Sequence, residues 1–174
     1  MIEIRKVDEA HREDLRLPNQ PFPLWGRMVP TYAERRWGYG VERFETVTEM
    51  CFPDEDYDYG ELTKNGAVLA AYDGDRCVGL AVLQRGMFRY FYLYDLKIDR
   101  AYRGQGIAGR LLADAKALAR ELGLRGVYTV GQDNNLSACL CYLKNGFRIG
   151  GLDTEVYRGT SQEGKADIYF YCDC

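Results

Sequence analysis

The sequence predicts an α+β fold in which helices flank a mixed, mostly antiparallel sheet. Two apolar segments, Val68–Tyr72 and Cys77–Leu83, lie on either side of Asp73-Gly74-Asp75, a sequence typical of a hairpin turn. Further along, strand patterns at Phe88–Ile98 and Val127–Val130 enclose an amphipathic helix. Antiparallel strands arranged around one strand–helix–strand unit indicate an α+β or mixed-sheet architecture.

The first third of the chain combines short regular patterns with a proline-rich stretch. Residues 2–7 alternate like an edge strand, and Ala10–Leu17 favours a short helix. An irregular connection ending near Tyr32 is predicted from four prolines: Pro18, Pro21, Pro23 and Pro30. Residues 37–47 alternate apolar and polar side chains and include aromatics, which suits a strand, and the very polar stretch Pro53–Glu61 suits a loop.

The amphipathic helix is the clearest element of the second half. Gly123 supplies its stop, and its apolar residues recur at helical spacing: Ile107, Leu111, Leu112, Ala115, Leu118, Ala119 and Leu122. A second helix is predicted over Ser137–Lys144, ending at Asn145-Gly146 with a left-handed cap. The last strands are predicted around Tyr157 and over Ile168–Tyr171.

Length and composition favour one compact domain spanning residues 1–174. The chain has 174 residues, 47% of them apolar, which is enough for a sizeable core. Its net charge of −3 argues against a nucleic-acid partner, because such proteins usually carry a basic face. No apolar run is long enough to span a membrane, and the charged, alternating N-terminus does not resemble a signal peptide. We therefore expect a cytoplasmic protein without a membrane partner.

The six cysteines are expected to be reduced thiols, some of them in the core, and no metal site is expected. Cys139 and Cys141 lie two positions apart on a predicted helix and therefore point to different faces. Cys172 and Cys174 form a Cys-x-Cys pair, but the only histidine is His11 and the chain has no Cys-x-x-Cys.

A glycine-bearing turn precedes the amphipathic helix and predicts a diphosphate site. A turn through glycines into a helix start leaves several backbone N–H groups unpaired, and the positive end of the helix dipole adds to their attraction for an anion. Glycine matters because a side chain would hold phosphate oxygens away from the backbone. The residues of this turn are Arg103, Gly104, Gln105, Gly106, Ile107 and Ala108.

The same glycines also fit a dinucleotide fingerprint, Gly104-x-Gly106-x-x-Gly109, with Asp133 as the downstream acid. Two features oppose this interpretation. The polar run Asp99–Arg103 separates the apolar strand from the first glycine, whereas the dinucleotide turn directly follows its strand. Too little chain follows Gly109 for the rest of a doubly wound dehydrogenase, and nothing before residue 100 has a βαβ pattern.

A second motif follows, comprising Asn135, Ala138, Tyr142, Lys144 and Gly146-Phe147. With both motifs in this order, the chain resembles the GNAT superfamily of acetyl-CoA-dependent N-acetyltransferases over roughly residues 92–150. The superfamily's acetyl-CoA motif is Arg/Gln-x-x-Gly-x-Gly/Ala, which Arg103, Gly106 and Ala108 match. The resemblance implies a GNAT-type sheet whose two central parallel strands splay apart around the pantetheine arm of acetyl-CoA.

The resemblance also implies roles for individual residues. Cofactor contacts are expected from the glycine-bearing turn and from five further residues: Leu96, Lys97, Ile98, Asn135 and Ala138. Tyr142 corresponds to the family's general acid, which protonates the departing thiolate and also lies against the cofactor. A packed core tyrosine is the alternative for Tyr142, and a helix N-cap is the alternative for Asn135.

A carboxylate or an ordered water must deprotonate the substrate ammonium. Asp95 is the best strand-borne candidate for this base, with Tyr94 as a hydrogen-bonding partner, although Asp95 could equally cap or pair locally. Strand alternation predicts that one of the two faces the cleft while the other faces away. Relatives often carry adjacent carboxylates here, so Tyr94 departs from their pattern.

Outside these motifs the chain resembles streptothricin acetyltransferases within the superfamily. The matching segments are Pro21-Phe22 to Gly26, Pro30-Thr31-Tyr32, Trp37, Gln132–Cys139, Gly146–Gly150 and Asp153-Thr154. This resemblance implies acyl transfer from acetyl-CoA to the β-lysine arm of a cationic antibiotic by direct attack, and hence antibiotic resistance. The alternatives are a protein, peptide or polyamine N-acetyltransferase, and a regulatory domain that binds acetyl-CoA without turnover.

A polycationic acceptor would need carboxylates close to the cleft. The acidic and aromatic segment 54–61 offers Asp54, Asp56 and Asp58 as candidate substrate-binding residues, and Asp153 and Glu155 form a second candidate pair. A solvated loop is the alternative for the first segment. The sequence is compatible with a homodimer and does not fix the oligomeric state.

Overall fold

The computed structural model describes all of residues 1–174. Nine strands form the framework: β1 (Ile2–Lys6), β2 (Phe22–Ala33), β3 (Arg36–Met50), β4 (Gly66–Asp73), β5 (Arg76–Arg85), β6 (Tyr90–Ile98), β7 (Gly126–Gln132), β8 (Arg148–Asp153) and β9 (Asp167–Asp173). The α-helices are α1 (Tyr59–Lys64), α2 (Ile107–Glu121) and α3 (Leu136–Lys144), and short 3₁₀ helices cover Glu9–Arg16 and Arg100–Tyr102.

Seven strands form one mixed sheet in the order β1-β4-β5-β6-β7-β9-β8, and β2 and β3 form a separate two-stranded sheet. The pairs β1–β4, β4–β5, β5–β6 and β8–β9 are antiparallel. Strands β6 and β7 are parallel neighbours connected through α2, which is the predicted strand–helix–strand unit. The predicted α+β, mostly antiparallel fold class is confirmed.

The chain forms two compact units. The first comprises residues 1–21, 51–128 and 173–174, and the second comprises residues 22–50 and 129–172. The prediction that residues 1–174 act as one domain stays a prediction. None of the helices combines the length and the apolar character that crossing a bilayer requires.

Strands β4 and β5 carry the core of the first unit because almost all of their residues are buried. Helix α2 packs on these strands, as shown by Gly79, where an added Cβ would lie 2.8 Å from Ile98 Cδ1 and 3.5 Å from Leu111 Cδ1. Five residues of the predicted apolar stripe of α2 are buried, and Leu118 is partly buried; the buried residues are Ile107, Leu111, Leu112, Ala115 and Ala119. Leu122 is instead 59% exposed, because it is the C-cap residue that precedes the left-handed Gly123.

Two predictions of local structure are wrong. The proline-rich segment is not irregular, because Phe22–Ala33 forms β2 in register with β3. Pro23 and Pro30 are tolerated there because β2 is an edge strand, where a missing N–H breaks no ladder bond on the outer side. Tyr157 lies in a turn-rich connection between β8 and β9 and not in a strand.

Candidate active site

The glycine-bearing turn has the geometry that the sequence predicts. Gly104 and Gly106 have φ angles of +77° and +79°, in the left-handed region that side chains rarely adopt. Gly106 is the N-cap of α2, and no side chain caps this helix start. Since an added Cβ at either glycine would meet nothing within 4 Å, the first-turn N–H groups of α2 lie next to open space.

The Arg103 side chain holds the turn in place and is not directed at open space. Its Nη1 donates to the carbonyl of Pro21 at 2.7 Å, and its Nε donates to the carbonyl of Ile98 at 3.1 Å. Gln105 Nε2 similarly donates to the carbonyl of Ala101 at 3.2 Å. The contribution of these two residues to anion binding therefore rests on their backbone groups.

The dinucleotide interpretation is not supported by the structure. The mostly antiparallel sheet differs from the doubly wound parallel sheet of dinucleotide-binding folds. Asp133 is 6% exposed, its Oδ1 accepts a bond from the Ala166 backbone N–H at 3.2 Å, and burial raises the pKa of its carboxyl. This carboxylate is used within the second unit.

The second motif forms α3 and its caps. Asn135 Oδ1 accepts from the Ala138 N–H at 3.4 Å, so Asn135 is the N-cap of α3. Gly146, with φ of +87°, follows the C-cap residue Asn145. Tyr142 is 8% exposed and lies between two aromatic rings, with centroid distances of 5.7 Å to Phe147 and 5.3 Å to Phe170. Its ring is therefore fixed by packing.

A β-bulge alters the predicted alternation in β6. Val82 pairs with Asp95 and Leu83 pairs with Leu93, so Tyr94 is an extra residue without an opposite partner in β5. As a result, Tyr94 and Asp95 both contact segment 55–57 of the same unit. The expectation that one of the two faces away from the other is wrong, because the bulge interrupts the period of two.

Asp95 is the centre of a cluster with Tyr57 and Lys97. Tyr57 Oη donates to Asp95 Oδ2 at 2.8 Å, and Lys97 Nζ lies 3.5 Å from the same oxygen and 5.6 Å from the centroid of the Tyr57 ring. The side chains of Asp95 and Lys97 are 19% and 9% exposed. Burial, reinforced by the Asp95 carboxylate, raises the pKa of Tyr57, so its hydroxyl keeps its proton and acts as a donor.

Neither Tyr57 nor the Lys97 side chain is indicated by the sequence motifs as a member of this cluster. The family resemblance implies only a cofactor contact for Lys97. A usable signal exists for Lys97, because residues two apart in a strand share a face and Asp95 is a carboxylate. Tyr57 is 38 residues away in sequence, and no local pattern indicates its contact with Asp95.

Most of the predicted substrate-binding acids are held by contacts within the protein. Asp54 Oδ1 accepts from the Asn19 N–H at 2.6 Å, and Asp58 Oδ1 caps α1 by accepting from the Glu61 N–H at 2.8 Å. In the second unit, Asp153 Oδ1 accepts from the Glu155 N–H at 2.9 Å, and Glu155 pairs with Arg158 at 3.1 Å. Asp56 is exposed and has no such contact.

Tyr157 joins a polar network that the sequence did not indicate. Its hydroxyl donates to Asp167 Oδ1 at 2.7 Å and accepts from Gln132 Nε2 at 2.8 Å. Burial, followed by the bond to Asp167, raises the pKa of Tyr157 to about 12. Burial also raises the pKa of the Asp167 carboxyl. A turn residue is thereby fixed to β7 and β9 within the second unit.

All six cysteines are free thiols. Cys139 and Cys172 are buried, whereas Cys51 and Cys174 are exposed. Burial raises the pKa of Cys139 to about 12 and that of Cys77 to about 11, so neither thiol is a good nucleophile at neutral pH.

Three features together define an acetyl-CoA-dependent N-acetyltransferase. They are a mixed sheet with one parallel strand pair, a glycine-bearing helix start after the first strand of that pair, and a tyrosine on the following helix. The profile of the acetyltransferase (GNAT) family matches residues 33–147, and the chain belongs to this family. Acetyl-CoA is accordingly its co-substrate.

Among individual relatives, streptothricin acetyltransferase A of Bacillus subtilis is 30% identical over 97% of this chain and 98% of its own length. A streptothricin acetyltransferase of Escherichia coli is 28% identical over 97% of this chain and 83% of its own length.

Solved structures agree with this placement. A candidate streptothricin acetyltransferase from Bacillus anthracis str. Ames, in complex with acetyl coenzyme A, superimposes with a TM-score of 0.90 at 28% identity and covers both chains completely. Nourseothricin acetyltransferase superimposes with a TM-score of 0.81 at 22% identity over 99% of this chain and 98% of its own, which shows a shared fold.

Proposed function

We propose that this enzyme acetylates a primary amine of a small cationic acceptor, the β-lysine arm of streptothricin, and thereby confers resistance to that antibiotic. The observation that carries the proposal is the end-to-end similarity to streptothricin acetyltransferase A, which extends well beyond the acetyl-CoA motif. A relative that shared only the cofactor motif would say nothing about the acceptor.

The cofactor is proposed to bind through backbone groups. The helix start of α2 offers N–H groups beside the open space at Gly104 and Gly106, which suits the diphosphate of coenzyme A. The end of β6, at Leu96, Lys97 and Ile98, is proposed to contact the pantetheine arm, together with Asn135 and Ala138 on α3.

The chemistry is proposed to be a direct attack of the amine on the thioester. The amine nitrogen bonds to the acyl carbon, the carbon–sulfur bond breaks, and the thiolate accepts a proton from Tyr142. The second proton, which the nitrogen loses as it becomes an amide, restores the Tyr142 hydroxyl. The proton that the acceptor ammonium must lose is assigned to Asp95. The cluster geometry supports this assignment because Tyr57 and Lys97 hold Oδ2, which leaves Oδ1 of the same carboxylate to accept a proton.

The charge of the acceptor is proposed to be matched by the acidic segment around Asp54, Asp56 and Asp58, and by Asp153 and Glu155. Hydrogen bonds to backbone N–H groups do not remove the charge of a carboxylate, so the acids that cap turns still contribute to the local field. Asp56, which has no protein partner, is the one best placed to meet a substrate ammonium directly.

Expression in a streptothricin-sensitive bacterium tests the proposal in cells. Cells that produce the wild-type chain should grow at streptothricin concentrations that stop cells producing an equal amount of the Tyr142→Phe variant. If cells that produce the soluble, folded wild-type chain are as sensitive as cells that lack it, the proposed acceptor is contradicted. If the wild-type and Tyr142→Phe strains are equally resistant, the role of Tyr142 is contradicted instead.

A further inference from the structure

The two-stranded sheet of β2 and β3 carries one apolar face that is largely exposed. Three cross-strand pairs form this face: Met28–Val41, Pro30–Tyr39 and Tyr32–Trp37. Met28 is buried, but Tyr32, Tyr39 and Val41 are 59%, 48% and 43% exposed. The ring centroids of Tyr32 and Trp37 are 4.8 Å apart. An exposed apolar face on a sheet of only two strands marks an interaction site, because the sheet also presents strand edges that can pair.

The two outer edges of this sheet differ in their ability to accept another strand. β2 contains Pro23 and Pro30, which cannot donate a ladder hydrogen bond, so its outer edge is protected. β3 contains no proline and no lysine, β2 is the only strand hydrogen-bonded to it, and residues 39–42 are exposed. The outer edge of β3 is therefore open to pairing, without the residues that usually prevent it.

The residues of this open edge form a pattern that is complementary to itself. The run Arg36-Trp37-Gly38-Tyr39-Gly40-Val41-Glu42 is centred on Tyr39. If a second copy lies antiparallel with Tyr39 opposite Tyr39, then Arg36 is opposite Glu42, Trp37 is opposite Val41 and Gly38 is opposite Gly40. Opposite charges meet on one face, and apolar side chains meet on the other.

We propose that two copies of this chain pair along the outer edges of β3 in this register and form a four-stranded intermolecular sheet. A two-fold axis then passes beside Tyr39, which gives the closed, self-complementary interface that most homodimers have. This proposed dimer does not depend on which amine the enzyme acetylates.

Three observations favour a second copy over a foreign partner. First, the charges of segment 22–50 balance, with four arginines and four glutamates, so that two copies do not repel each other. Second, Gly38 and Gly40 lie opposite each other in this register, so no bulky side chains clash between the two Arg36–Glu42 pairs on that face. Third, both contacts of Arg27 are with Glu42 Oε2, which leaves Oε1 for the partner subunit's Arg36.

The mass in solution and a charge swap test the pairing. Light scattering of the full chain should give twice the 19.9 kDa chain mass. Arg36→Glu and Glu42→Arg, each alone, should place like charges opposite each other at two symmetric positions and weaken dimerisation by about tenfold. The double variant should restore it, although the internal pair between Arg27 and residue 42 is still lost. A monomer at all concentrations, or no rescue by the double variant, would overturn the proposal.

A cross-link tests the register and does not depend on charge. In a background in which the exposed Cys51 and Cys174 are replaced by serine, Tyr39→Cys should give a disulfide-linked dimer under mild oxidation. Opposed residues in an antiparallel pair have Cα atoms about 4.5–5.5 Å apart, which suits a disulfide. Tyr32→Cys is the matched control, because β2 lies one strand farther from the axis. Equal cross-linking of both variants would contradict the register.

Discussion

Tyr57 donates a 2.8 Å hydrogen bond to Asp95, and this contact connects residues that are 38 positions apart in sequence. It fixes the acidic segment of the first unit to the bulged strand β6. Together with Lys97, whose Nζ lies 3.5 Å from the same carboxylate oxygen, it orients the group that we propose as the base.

Asp95→Asn should lower kcat/KM by about 10²–10⁴-fold, because the amide keeps the shape of the side chain but cannot accept the proton. Tyr57→Phe should reduce kcat by about tenfold with little change in KM, because it removes one bond to a charged group. Tyr72→Phe is the matched control, since Tyr72 also donates to a carboxylate, Asp14, at 2.6 Å. Steady-state kinetics showing equal losses of kcat in both tyrosine variants would refute a role for Tyr57 in positioning Asp95.

Gly106→Val should weaken acetyl-CoA binding by more than about tenfold, because the side chain would occupy the space in front of the α2 helix start. Gly74→Val is the control, since Gly74 also has a positive φ, of +59°, with nothing within 4 Å of an added Cβ. Both variants should lose similar stability, of about 1–3 kcal/mol. Calorimetric titration that gives the same affinity for both folded variants would exclude this binding site.

Tyr142→Phe should lower kcat by about 10²–10⁴-fold while acetyl-CoA affinity persists, because only the proton donor is removed. The ring keeps its contacts with Phe147 and Phe170, so the melting temperature should change little. Single-turnover kinetics and thermal unfolding separate these effects. A variant with wild-type chemistry and reduced stability would instead assign Tyr142 to packing alone.

The kcat/KM for streptothricin should fall as ionic strength rises, because salt screens the attraction between a polycation and the acidic segment. The triple variant Asp54→Asn, Asp56→Asn and Asp58→Asn should flatten this dependence while keeping the acceptor oxygens that cap local turns. Its control neutralises three exposed acids elsewhere in the first unit: Glu3→Gln, Asp114→Asn and Glu121→Gln. If both triple variants flatten the curve equally, net charge and not the acidic segment governs the effect.

The free energy of unfolding should fall as pH rises above about 10. A tyrosine whose pKa is about 10 when unfolded binds its proton more tightly in the folded state if the folded pKa is higher, so stability is lost between the two values. For Tyr157 this window extends to about pH 12. Tyr157→Phe should reduce the slope of stability against pH in denaturant titrations from pH 9 to 11.5. An unchanged slope would contradict the burial of this hydroxyl.

Local patterns in the sequence predicted much of the fold. The α2 stripe, the hairpin at Gly74 and the glycine-bearing turn all follow from spacing and from backbone preferences within a few residues. The failures have a common physical origin in contacts between distant segments. Pro23 and Pro30 suggested a loop because nothing local shows that β2 is an edge strand. No pattern next to Tyr157 shows that its hydroxyl is bonded to Gln132 and Asp167, which fix it in a turn and not in a strand.

The sequence predicted the positions of some residues of the candidate site but not their contacts. Family motifs located Gly106, Asn135 and Tyr142, each of which lies on the element expected for it. The bulge at Tyr94 was not predictable, because it arises from a register shift between β5 and β6 and not from either strand alone. For the same reason the sequence could not show that Tyr94 and Asp95 contact the same segment.

The most direct test of the central claim is acetyl-CoA consumption by the purified enzyme on a panel of amines. The panel contains streptothricin, aminoglycosides, spermidine and peptides, with free thiol release and product mass as the readouts. The account predicts that streptothricin gives the highest kcat/KM and gains one acetyl group on its β-lysine arm. An enzyme that binds acetyl-CoA but leaves streptothricin unmodified, while acetylating a peptide or spermidine, would contradict the proposed acceptor.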